Sequence, residues 1–366
     1  MNQDLCLKIL GDVMGWSDAQ ARQEYAWLRL ISRVKYDGYQ DFLAGKRFIE
    51  SLISWLKQFE RGPERDIAYA FVRDRLVYVS AGELQNLVRL TYPEHVRRRL
   101  VSEAAARCGV PLYQVWTNRD AAVTYNRLRN STLFFGLSDG ARMDIFRRAN
   151  AGLVSNEQVV VSAGTDNAKW EDLLVKLRRR TNDESAGFDF VYLLDDFVGS
   201  GKTLLRVDAG EWTGKLIRFW ENLKPFLTTH FHPDWTLVVH HYLASYEARR
   251  KVDERAAAIM GERVSDWFPR VEFSYSAVLS RDLPLREPQD SGFLALADKY
   301  YDPGVETEHT KVGGEGVQRG FGDCALPVVL EHNTPNNSMA LLWAETVGGT
   351  DVPAMRALFR RRQRHG

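Results

Sequence analysis

Apolar positions recur with two different periods along this chain, and the change of period divides it. Up to about residue 125, Trp27, Leu30, Ile31 and Val34, then Phe48, Leu52, Trp55 and Phe59, then Ile67, Ala70 and Phe71 fall on single faces at helical spacing. These stripes predict amphipathic helices with one side in a core. Ser17 with Gln20 reads as a capping box before the first of them. Gly62-Pro63 stops the second, while Pro93 and Gly109-Val110-Pro111 break the helical segments through Leu84–Val88 and Val96–Ala106. At Ser131 the pattern shifts to short apolar runs at 132–137, 159–161, 188–194, 235–243 and 326–330. An alternating run at Val271, Phe273, Tyr275, Ala277 and Leu279 joins them. These read as strands, with helices between them at 170–177 and 216–227. Phe190 to Leu194 has no polar residue, so as a strand it is covered on both faces, as in a parallel sheet with helices on each side.

That unbroken run ends in Asp195-Asp196, followed by Phe197-Val198-Gly199-Ser200-Gly201-Lys202-Thr203. In open parallel sheets, ligands sit at the carboxyl ends of the strands. Gly199, Ser200 and Gly201 allow a tight turn whose N–H groups converge, and Thr203 adds a hydroxyl near an expected helix start, which together suit a phosphate. Asp195 and Asp196 would repel that phosphate and are better fitted to sugar hydroxyls or to a magnesium ion beside it. Gly201-Lys202-Thr203 also ends a Walker A pattern, but the first glycine of that pattern falls on Asp196, whose charge would face the phosphates. A buried strand closing in a solvated Asp-Asp turn is the plain alternative.

Two further stretches offer chemistry. Ser138-Asp139-Gly140-Ala141-Arg142 follows the strand at 132–137 and pairs a turn with an arginine that can hold a phosphate bidentately. His332-Asn333-Thr334-Pro335-Asn336-Asn337-Ser338 is either a polar platform of amide and imidazole groups or a set of local turns. His230, His232, His240 and His241 lack the carboxylate or cysteine spacing of a metal site. His240 and His241 would point to opposite faces of one strand, so only one of them can reach any one ligand. The Gly-rich, charged stretch Pro303–Asp323 reads as a loop long enough to close over a ligand.

Composition narrows the partners. Lys and Arg number 49 against 48 Asp and Glu, so no overall charge draws the chain to nucleic acid or membrane. Arg97-Arg98-Arg99 and Arg178-Arg179-Arg180 read as solvated helix faces. Cys6, Cys108 and Cys324 lie far apart, as reduced cytosolic thiols would. With early charges and no long apolar run, the sequence reads as cytoplasmic.

From Val191 through Thr203 the sequence resembles, almost position for position, the signature of type I phosphoribosyltransferases: four apolar residues, an acidic pair, two apolar residues, then small residues and a threonine. Phe197 is bulkier and Gly199 smaller than usual. Together with Leu137–Arg142 and His332–Ser338 followed by Leu341-Leu342-Trp343, the likeness is to a narrower group, the phosphoribosyltransferase-like proteins of bacterial conflict systems, some retron-associated. The resemblance implies an α/β fold with an open, mainly parallel sheet and flanking helices over residues 126–366. Residues 1–125 would be an all-helical N-terminal domain with a winged-helix-like part for partner contact. It implies an effector that binds phosphoribosyl pyrophosphate or a nucleotide with Mg2+ and acts at ribose C1, as a glycosyltransferase or a nucleotide-degrading derivative in antiviral defence. The alternatives are a non-catalytic nucleotide-binding regulator and a degenerate P-loop NTPase. Asp195 and Asp196 would be catalytic, Val198, Gly199, Ser200, Gly201, Lys202 and Thr203 would hold the 5′-phosphate, and Ser138, Asp139, Gly140 and Arg142 the pyrophosphate. His332, Asn333, Asn336 and Asn337 would contact a base. No metal would be held by the protein alone. A defence partner such as a reverse transcriptase or its nucleic acid, and an oligomer, are the implied associations.

Overall fold

Nine strands form among the described residues: β1 (Val77–Val79), β2 (Thr132–Gly136), β3 (Val159–Val160), β4 (Phe188–Val198), β5 (Arg206–Asp208), β6 (Glu211–Thr213), β7 (Phe231–Ala244), β8 (Val271–Val278) and β9 (Val328–Leu330). The structure, a computed structural model, describes residues 3–41, 47–263, 266–307, 310, 314, 316–349 and 353–361. Two compact units make up the chain, one of residues 1–83 with 280–366 and one of residues 84–279. The junction expected at 125/126 falls inside the helix Arg119–Asn130 of the second unit.

In the second unit, five strands make an all-parallel sheet in the order β3-β2-β4-β7-β8. Eight of the eleven residues of β4 are buried without interruption from Phe188 to Asp195, as its apolar run requires. Leu133, Phe135, Val191, Leu193, Leu237 and Val239 share a core with Trp170, Leu216, Phe219 and Trp220 from the helices Asn167–Thr181 and Lys215–Leu223. On the other face Phe134 packs against Phe146 and stacks on Tyr192, with ring centroids 4.9 and 5.5 Å apart. The expected fold class is therefore present, an α/β sheet flanked by helices, and the N-terminal region is mostly helical.

Local chemistry departs from the sequence expectation in three places. Residues after Thr203 do not start a helix. They form the hairpin β5–β6, closed by Ala209 and Gly210 at φ 48° and 86°, the two left-handed positions that a tight hairpin turn demands. The helix begins only at Lys215. Pro93 does not break its segment. It sits in a widened π-type turn, Thr91–Val96, that joins Ala81–Leu90 to Arg97–Cys108 and accommodates the missing N–H. Nor is Arg99 a solvated residue: its guanidinium donates to both Glu272 oxygens at 2.8–3.0 Å and to Glu103 at 3.0 Å. That bidentate pair ties helix Arg97–Cys108 to β8.

The first unit gathers helices Gln3–Met14, Asp18–Val34, Phe48–Leu56, Pro63–Asp74 and Ser291–Lys299 around Trp55, Phe59 and a Phe71–Phe293 stack with centroids 3.8 Å apart. Ser17 caps the second of these by accepting from the Gln20 N–H. Gly62-Pro63 does stop a helix and also starts one, with Pro63 at the first helical position. β1 pairs in parallel with β9, Val77–Val79 against Val328–Leu330. Of the expected loop Pro303–Asp323, positions 308, 309, 311–313 and 315 lie outside the described residues.

Candidate functional site

The strand order marks a candidate site before any side chain is considered. From β2 the chain moves outward to β3, then returns to the other side of β2 to form β4 and continues to β7 and β8. The reversal leaves a crevice between the carboxyl ends of β2 and β4, the place where open parallel sheets take their ligands. Gly136, the last residue of β2, pairs with Leu194, four residues before the end of β4, and the Leu137 N–H donates to the Leu194 carbonyl at 2.9 Å.

The expected pyrophosphate loop and the acidic pair therefore meet. Ser138 Oγ accepts from the Gly140 N–H at 3.1 Å, closing the Asp139–Ala141 turn, and donates to Asp195 Oδ1. Gly140 lies against the second carboxylate so closely that a Cβ there would stand 2.0 Å from Asp196 Oδ2. From β7, the buried Tyr242 hydroxyl donates to the Ala141 carbonyl at 2.6 Å and fixes the turn from below. Arg142, half-buried and at φ 51°, ends the turn and has no ion-pair partner among the described residues. Asp139 is exposed.

Asp195 is buried, and Lys215 Nζ donates to its Oδ2 at 2.8 Å. Burial raises the Asp195 carboxyl above its ordinary value, Lys215 opposes that rise, and Asp196 adds to it. Nothing in the linear sequence marks Lys215. It is placed by the hairpin and by Gly214, whose φ of 127° and close approach to the Leu204 carbonyl leave no room for a side chain.

The loop after β4 is held from the next crossover. Ser245 Oγ donates to the Gly199 carbonyl at 2.6 Å, and Arg255 Nη1 donates to the Ser200 and Leu205 carbonyls at 3.3 and 3.2 Å. Both residues flank or belong to helix Tyr246–Glu262. Ser200 is buried and its Oγ accepts from the Lys202 N–H at 3.3 Å, whereas Thr203 is exposed and Lys202 partly so. Val198, at the end of β4, packs with Ala244 and Ala248 and offers the loop a foundation, not a contact surface. Gly201 has φ 69°, and a Cβ would come within 2.7 Å of Val252 Cγ2. A Gly201→Ala variant should accordingly lose about 1–3 kcal/mol of stability, read by urea denaturation. An unchanged midpoint would show that the loop moves freely away from Val252.

The histidines divide as their alternation implies. His241 lies level with Asp195 in the β4–β7 register and stacks on Tyr275, with ring centroids 6.2 Å apart. Burial, followed by the Lys215 charge, pushes it down to about 3, against the pull of Asp196. At neutral pH it is an uncharged ring. His240 faces the opposite side, bonded to Ser274 at 2.8 Å and Ser276 at 2.9 Å. No group of three metal-ligating side chains occurs among the described residues.

His332, Asn333, Asn336 and Asn337 belong to the first unit. There Asn337 Nδ2 donates to the Phe321 carbonyl at 2.8 Å, and Gln40 Nε2 donates to Asn333 Oδ1 at 3.4 Å. Neighbouring Thr334 and Ser338 are fully buried, with Ser338 Oγ donating to the Val328 carbonyl at 2.6 Å.

Compared with known proteins, residues 52–361 match the model of the family described as PRTase-CE. No curated protein and no solved structure matches the chain. No helix among the described residues is long and apolar enough to cross a membrane.

Proposed function

Because the chain belongs to the PRTase-CE family of phosphoribosyltransferase conflict-system effectors, we propose that its β2–β4 crevice binds phosphoribosyl pyrophosphate or a nucleotide and acts at ribose C1 in antiviral defence. The observation that carries this reading is the contact of Gly140 with Asp196. It makes the Ser138–Arg142 turn and the Asp195–Thr203 loop two walls of one site, with an acidic pair between two anion-seeking loops.

Each part then has a task. Asp196, partly exposed and accepting the Phe197 N–H at 2.8 Å, receives the ribose hydroxyls and faces positive charge developing at C1. Asp195 is the inner carboxylate and exchanges its Ser138 or Lys215 contact for a sugar hydroxyl when the ligand enters. The turn from Gly199 to Thr203, with the exposed Thr203 hydroxyl, takes the 5′-phosphate. Arg142 neutralises the pyrophosphate as it departs. Two adjacent carboxylates suit a hard cation with oxygen ligands, so Asp195 and Asp196 would hold a Mg2+ that the pyrophosphate brings and that offsets its charge.

One observation favours a second reading, a site that binds and signals without turnover: the inner carboxylate is already neutralised by Lys215.

Titration calorimetry with Mg2+ tests the binding. Phosphoribosyl pyrophosphate should bind saturably, and Arg142→Ala should weaken it about tenfold, the size of one lost charged hydrogen bond, while ribose 5-phosphate affinity stays unchanged. Absence of binding, or equal weakening of both ligands, overturns the assignment of Arg142 to the pyrophosphate end.

A further inference from the structure

A cavity of about 610 Å3 opens in the first unit, apart from the residues of the β2–β4 crevice, all of which belong to the second. That volume falls in the range of small-molecule sites. Its walls carry Arg29, Arg33 and Arg47 against the carboxylates of Asp37 and Glu50.

Arg29 and Arg33 stand one turn apart on helix Asp18–Val34, all three arginines are exposed, and none has an ion-pair partner among the described residues. Asp37, in contrast, is committed: it accepts from Ser32 Oγ at 2.8 Å and from the Phe48 N–H at 3.0 Å. The first turn of helix Phe48–Leu56 also lines the cavity, and Arg47 at its N-cap makes no side-chain cap bond. The start of that helix brings its positive dipole end to the wall, beside the Glu50 carboxylate of its own first turn. Tyr25, half-buried, supplies an aromatic wall with a hydroxyl.

From this convergence we infer that the first unit holds a second ligand site, specific for a polyphosphate anion, either pyrophosphate itself or the di- or triphosphate end of a nucleotide. Guanidinium forks hold phosphate oxygens two at a time, and three of them match an anion of at least two phosphates better than a single carboxylate. The inference stands on the first unit's own residues and does not depend on the phosphoribosyl reading of the crevice.

The test uses the full chain carrying Arg142→Ala, so that binding at the crevice is weakened, titrated separately with inorganic pyrophosphate and with ADP without magnesium. Either ligand should bind with one equivalent, and Arg29→Ala with Arg33→Ala should weaken it at least tenfold with an unchanged circular dichroism spectrum. Arg29→Lys with Arg33→Lys should also weaken it, because a lysine keeps the charge but loses the fork. Equal affinity for the two ligands identifies the phosphates alone as the determinant, and tighter ADP binding adds a base contact; both support the site. No binding of either ligand, or binding that the Arg29 and Arg33 substitutions leave unchanged, overturns it. Failure of the crevice reading shows separately, as phosphoribosyl pyrophosphate binding that no crevice substitution alters.

Discussion

Cells expressing the Asp195→Asn, Asp196→Asn chain should lose any change in nucleotide or phosphoribosyl pyrophosphate pools that the wild type produces, through a fall in turnover on the order of 10²-fold or more. Removing preorganised charge from the position where a transition state develops it costs this much in other enzymes. Asparagine keeps the shape of both side chains, so the Phe197 and Asp196 backbone bonds to them can persist and the fold should survive. Gly140→Ala should reach the same end by a different route, because its methyl group would stand 2.0 Å from Asp196 Oδ2 and would force the carboxylate or the turn aside. Metabolite profiling of the three strains is the measurement. If the wild type alters pools and both variants alter them equally, the crevice is not where the chemistry happens. If the wild type alters none, the catalytic reading fails and the binding reading is left to calorimetry.

Lys215→Met should be the most damaging single change to stability near this site, on the order of 3 kcal/mol at neutral pH, because it strands a buried carboxylate. Lys215 is only 23% exposed and its partner 5%, so solvent screens the pair little. The direction with pH follows from the Asp195 shift. Its folded value lies above its unfolded one, so its contribution is fully present in acid and is lost as pH rises through the folded value. Without Lys215, which opposes that rise, the folded value climbs further and the loss at neutral pH deepens. Urea denaturation should therefore show a deficit that narrows as pH falls from neutral toward the ordinary carboxylate range. Adding Asp195→Asn should recover most of it. A deficit that is constant with pH would mean that Lys215 supports the fold by packing and not by charge.

Much of the crevice is legible in the sequence because its signals are local. The apolar run Phe190–Leu194 dictates a doubly covered strand, and the acidic pair just beyond it falls within the last four residues of that strand. What a linear reading misses is set by distant partners. Lys215 reaches Asp195 only because a hairpin folds the intervening residues back, and the Asp208–Glu211 turn that directs it shows no Asn-Gly signal. Arg255 and Ser245, which grip the loop, come from the crossover after β7. Pro93 illustrates the opposite error, a strong local signal overridden because a π-type turn can absorb a proline. β1, in contrast to β9 with its apolar run at 326–330, is too short to carry a period, and only its pairing with β9 makes it a strand.

That last pairing has a consequence for how the molecule comes into being. The ladder of Val77–Val79 cannot form until Val328–Leu330 has been made, whereas every strand of the five-stranded sheet lies within the continuous stretch 84–279. During synthesis the unit that holds the five-stranded sheet is thus complete in sequence while the N-terminal helices still await their C-terminal half, and contacts so far apart in sequence form slowly. The protein is assembled as an insertion closing before its host, so for part of its birth the crevice exists without the unit that carries the arginine-lined cavity.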